Sequence, residues 1–90
     1  MTPEQRQQIE AQIQSDFSEL QNKLAELKNE VQTETDESKK QEKNDEVQRL
    51  ETELSGIKSL IDTLSSLQEQ DLESLKTRLE SLKTAIQEFR

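Results

Sequence analysis

Apolar side chains recur along this chain every three or four residues, except in one stretch. Between Val31 and Val47 only Gln, Thr, Glu, Asp, Ser, Lys and Asn occur. Upstream, Ile13, Phe17, Leu20, Leu24, Leu27 and Val31 form an alternating three-and-four stripe, with Phe17, Leu24 and Val31 at heptad position a and Ile13, Leu20 and Leu27 at d. Ile9 lies beside it at g. A stripe this narrow suits a helix–helix seam better than a broad globular core. Thr2-Pro3-Glu4-Gln5 is a helix-start signal: Thr2 caps, Pro3 fits the first helical position, and Gln5 reaches back as in a capping box. The first predicted helix is 3–33, with Glu19 and Lys23 spaced for an ion pair along one face.

Downstream of the gap the period resumes. Val47, Leu54 and Ile61 take position a, and Leu50, Ile57 and Leu64 take d, with Leu60 and Leu67 adding a g row. Asp45 and Arg49 have the spacing of a second ion pair. The last third repeats Leu-Glu-Ser-Leu-Lys-Thr, beginning at Leu72 and again at Leu79. Its seam is Leu72, Leu75, Leu79, Leu82, Ile86 and Phe89, flanked at e by Lys76, Lys83 and Arg90. Such a basic flank suits an acidic neighbour, and both 4–34 and 45–66 carry net negative charge.

Register separates the two interruptions. Extending the first heptad past Val31 places Val47 off the seam by two residues, and a continuous coiled coil does not readily absorb an insertion of two. The gap also holds Thr33, Thr35, Asp36, Ser38 and Asn44, which favour caps and turns. The expectation is a chain reversal at about 34–44; the competing reading is one continuous polar helix, since Glu, Lys and Gln propagate helix well. The second interruption, between Ile61 and Leu72, is an offset of four, a stutter that a continuous helix tolerates. Yet Ser66-Leu67-Gln68-Glu69 also reads as a capping box, and Asp71 is a further candidate cap.

The expected fold is all-α, one helical coiled-coil domain over 1–90. It is an antiparallel hairpin or a small up-down-up three-helix bundle, with helices at about 3–33, 45–66 and 68–90 and the last two open to fusion. In the fused form the seam from Leu72 to Phe89 overhangs and requires another subunit or a partner. A parallel rod-like oligomer is the third form. Only 28% of residues are hydrophobic and 36% are charged. The core is therefore thin for a monomer, and self-association or docking on a protein partner is expected.

The chain has no Cys, His, Trp or Tyr, which removes disulfides, thiolates and the commonest metal ligand and general base. A net charge of −8 argues against nucleic acid and anionic membranes. The start of the chain lacks the apolar run of a signal peptide, and no stretch approaches the ~20 apolar residues of a membrane span, so a cytoplasmic location is expected. Carboxylate pairs are numerous, but none lies in an apolar pattern that would shift a pKa for catalysis. Asp36-Glu37 with Asp45-Glu46 offers oxygen ligands for a divalent cation, but lacks the Asx alternation and central Gly of an EF-hand. Ser55, Ser59, Thr63 and Ser66, and then Ser74, Thr77, Ser81 and Thr84, read as solvated outer faces. Helix–helix packing is favoured over a lipid-binding role for the stripes, because their polar sides are acidic and Phe17 and Phe89 are the only aromatics.

These observations imply a non-catalytic structural or protein–protein interaction module without cofactor, metal or small-molecule substrate. It would act through helix packing, by oligomerising or by docking on a larger partner. The alternative is a regulatory hairpin presenting a polar tip, Asp36 and Glu37, to a larger enzyme or complex.

Overall fold

The computed structural model describes residues 1–89. Helix α1 runs Pro3–Val31, α2 Glu37–Ile61 and α3 Glu69–Gln87, with a short 3-10 turn Leu64–Ser66 between the last two. Every pair of helices is in contact, and the path is up-down-up. The molecule measures 52 × 18 × 16 Å with a radius of gyration of 15.2 Å. A compact chain of this length would have about 12 Å, so the bundle is a short rod one helix long.

The three stripes close on one another. Sixteen apolar residues are buried in one continuous core: Ile13, Phe17, Leu20, Leu24, Leu27 and Val31 from α1, Val47, Leu50, Leu54 and Ile57 from α2, Leu64 from the turn, and Leu72, Leu75, Leu79, Leu82 and Ile86 from α3. Ile13, Ile57, Leu72 and Leu75 are essentially inaccessible. Ile61 and Phe89 are only half-buried, together with Ile9, Leu60, Leu67 and Ala85 at the two ends of the rod. The seam from Leu72 to Ile86 is covered by α1 and α2 of the same chain. The fused, overhanging arrangement is not adopted.

The first reversal is shorter and earlier than 34–44. It occupies 32–36, and the polar stretch from Glu37 onward is helical. Glu, Lys and Gln need no core contact to propagate helix once a cap nucleates it, and Asp36 supplies the cap by accepting from the Lys39 N–H at 3.0 Å. Glu37 in the first turn suits the helix dipole. The two-residue phase slip is absorbed in the turn. At the other end of α1 the capping box forms in full: Thr2 Oγ1 accepts from the Gln5 N–H at 3.1 Å and Gln5 Oε1 from the Thr2 N–H at 3.0 Å.

The second interruption is a true break, at 62–68, and not a stutter within one helix. The Ser66–Glu69 capping box does not form. The N-cap residue is Gln68, which offers no side-chain cap, while Ser66 Oγ donates to the Thr63 carbonyl at 2.8 Å. Asp71 falls inside the first turn of α3. One ion pair also differs from expectation: Arg49 bonds Glu46, one turn back, and Asp45 instead accepts from Gln41 at 3.0 Å. Glu19 and Lys23 pair as expected, at 3.0 Å.

Gly56 sits outside the seam, under Arg78. The Arg78 guanidinium crosses from α3 to bond Glu53 of α2 at 3.0 Å, and a Cβ at Gly56 would lie 3.3 Å from its Nη2. That neighbour is the end of a flexible chain and can yield. Gly56→Ala is therefore expected to stabilise the bundle by about 0.5–1 kcal/mol through helix propensity, read as a higher midpoint in urea or heat. A fall in midpoint would mean that the Arg78–Glu53 bridge is too confined to move.

Candidate functional site

Three regions bring polar side chains together: the tip at 32–36, the elbow at 62–68, and a cleft beside the end of α3. At the tip, the α1 backbone unwinds through Gln32, Thr33 and Glu34, whose N–H groups bond Asn29, Glu30 and Val31 carbonyls. Thr33 Oγ1 donates to the Glu30 carbonyl at 2.7 Å. Glu34 then ties the turn to α2: one oxygen accepts from Lys43 Nζ at 2.9 Å and the other faces the Asp36 N–H at 3.4 Å. These contacts, the Lys43 hydrogen bond first, hold the Glu34 carboxyl below the usual carboxylate range. Glu19 is lowered in the same way, chiefly by Lys23 with a small part from Lys83 of α3.

The proposed acidic tip is thus divided in its roles. The Asp36 carboxylate is spent on capping α2, and Glu37 points into solvent at the first helical position. Asp45 and Glu46 lie two turns further along α2, bonded to Gln41 and Arg49, and do not converge with the tip. Among the described residues no group of three or more His, Cys, Asp or Glu side chains is placed to hold a metal ion.

The elbow carries a contact that sequence reasoning did not foresee. Arg6, from the first turns of α1, donates to the carbonyls of Leu64 at 3.2 Å, Ser65 at 3.4 Å and Leu67. Its Nε is held by Glu10 at 3.0 Å, one turn on. The N-terminal ammonium lies 3.4 Å from Glu69 at the start of α3. Nothing local to residues 62–68 announces a partner at position 6; the only sequence signal was the Arg6–Glu10 spacing. Arg78 was likewise passed over, although its g position flanks the α3 seam.

The cleft beside the end of α3 is lined by Glu42, Lys43, Glu46, Ala85, Glu88 and Phe89, with a volume of about 420 Å³. It is open, and its apolar part is limited to Ala85 and Phe89. Of the basic flank, Lys83 faces Glu19 of α1; Lys76 is exposed; Arg90 lies outside the described residues. Hydroxyls of the outer faces bond their own helices: Thr52, Ser59, Ser74 and Thr77 each donate to the carbonyl one turn back, at 3.0, 3.4, 3.1 and 3.1 Å. No helix of the described residues is long and apolar enough to cross a membrane. The chain matches no protein-family model, and no curated protein or solved structure matches it either.

The Glu34 contacts fix a pH dependence. A carboxyl whose pKa is lowered on folding adds stability above its ordinary value of 4.5, and that stability is lost as pH falls through the folded value. Glu34→Gln is expected to melt below the wild type at neutral pH, with the two midpoints converging as the pH falls below the lowered folded value of Glu34. Parallel thermal melts across the acid range measure this. A difference that persists at low pH would remove the carboxylate from the account.

Proposed function

We propose that this chain is a non-catalytic structural or protein–protein interaction module whose helices serve as a small rod for holding a partner. The observation that carries this reading is the shape: three helices lock their apolar stripes into one core and present the remaining charged and amide side chains along a 52 Å length. A core closed along the whole rod fixes the spacing of outer-face side chains on three helices. A partner would then read polar positions on these faces, and an excess of 20 acidic over 12 basic residues favours one with a basic surface. The seam from Leu72 to Ile86 would contact a partner only if the bundle opened.

The reading is tested with a photo-crosslinking residue at Gln14, Gln48 or Ser81, one exposed position per helix, in the cells from which the protein comes. A discrete protein adduct is expected from at least one face, and it should vanish in Leu75→Asp, which places a charge in the core and unfolds the rod. No adduct from any face would end the proposal. The competing reading, a regulatory hairpin working through its tip, rests on the exposed position of Glu37. Glu37→Lys separates the two: the rod reading expects the adducts to persist with a small loss of stability from the helix dipole, whereas the hairpin reading expects them to disappear.

A further inference from the structure

We propose that the elbow between α2 and α3 is a hinge that can straighten into continuous helix, so that two copies of this chain exchange α3 and form a domain-swapped dimer. The inference does not depend on what the outer faces hold. Four observations carry it.

The first is register. The seam resumes after the elbow with an offset of four, the one insertion besides three that a continuous coiled helix absorbs. The second is the backbone of the elbow. Residues 62–68 contain neither Gly nor Pro, and no described residue has positive φ. Asp62 is helical, and 64–66 form a 3-10 turn. The departures are at Thr63 (φ −115°, ψ 25°), Leu67 (φ −74°, ψ 146°) and Gln68 (φ −77°, ψ 162°). Changes at those three positions, with the 3-10 turn 64–66 relaxing to α-helix, straighten the chain.

The third is capping. The helices α1 and α2 start on side-chain caps from Thr2 and Asp36, whereas α3 starts on Gln68 with none. The local sequence therefore does little to hold α3 apart from α2. The fourth is Arg6. The carbonyls of residues 64, 65 and 67 that it binds are those a continuous helix would give to the N–H groups of 68, 69 and 71. Bent and straight forms thus satisfy the Ser65 and Leu67 carbonyls by different donors, while the Leu64 carbonyl in the bend also accepts from the Leu67 N–H at 3.2 Å. The bend depends on a latch from a distant part of the chain.

A straightened helix over 37–87 would be about 76 Å long and would carry the α3 seam beyond its own core. Five apolar residues of that seam are buried and cannot remain in water. The groove shaped to receive them is the α1–α2 face that α3 has vacated, so the occupant is a second copy, related by a twofold axis at the elbow. The exchange reproduces every α3 contact and changes only the elbow.

Gln68→Pro tests this directly. Pro fits the φ of residue 68, Leu67 before it is already extended, and the Gln68 N–H has no partner among the described residues. The bend accepts this change; the continuous helix does not. Wild-type protein refolded at millimolar concentration should give a dimer by light scattering. Arg6→Gln should raise the dimerisation constant about a hundredfold, since each dimer opens two elbows and each loses bonds from a charged donor, and Gln68→Pro should stay monomeric. If Arg6→Gln folds poorly, Thr63→Ala/Ser65→Ala/Ser66→Ala favours the straight form through helix propensity alone. The chain has no Cys, so Glu53→Cys/Arg78→Cys with a short bis-maleimide reports the exchange: dimers should cross-link between chains and monomers within them. A Gln68→Pro protein that dimerises like wild type, dimers cross-linked only within chains, or monomers throughout in the latch and Ala variants would each overturn the proposal.

Discussion

No helix of this chain can bury its own apolar stripe, and the rest of the structure follows from three stripes closing on one another. The α1 seam is about two residues in seven wide, that of α2 is broadened by Leu60 and, just past its end, Leu67, and each helix packs against both of the others. The packed arrangement puts Ile13 of α1, Ile57 of α2 and Leu72 and Leu75 of α3 out of contact with solvent. Shape follows from the same constraint. A core one stripe deep can grow along the helices but not across them, which gives a rod of 52 × 18 × 16 Å.

Polar contacts then decide where each helix stops. At the tip this is local work: Asp36 caps α2, and Glu34 bridges to Lys43 and the turn backbone within a dozen residues. At the elbow it is not. The turn between α2 and α3 lacks a side-chain cap, and its carbonyls are bound by Arg6 from the opposite end of the sequence. One reversal is written into its own residues, while the other is imposed by packing. That asymmetry makes the elbow the place where the molecule has an alternative.

Much of the architecture was legible from period alone. The spacing from Ile13 to Val31 and from Val47 to Ile57 placed the buried faces of α1 and α2, and Leu72 to Ile86 placed that of α3. The capping box at Thr2 was readable because all of its partners lie within three residues. The extent of the first turn was misjudged because a run such as Glu37–Glu46 has no apolar marker, and helix propensity filled what the stripe left blank. Less of the candidate sites was legible. Glu37 could be placed at the tip from sequence, but Asp36 is consumed by the backbone beside it, and the role of Arg6 depends on a contact across the whole fold.

The sequence by itself determined the apolar stripes and their faces, and it favoured the first reversal over a continuous polar helix, because a continuous coiled coil does not readily absorb a two-residue phase slip. Between Ile61 and Leu72 it left two solutions open, since an offset of four fits both a straight helix and a turn. Only the tertiary structure decided between them. Folding α3 back buries five of its apolar side chains against α1 and α2 within one chain and gives the Arg6 guanidinium three carbonyls to bind. Neither gain can be seen by a residue that knows only its neighbours in sequence.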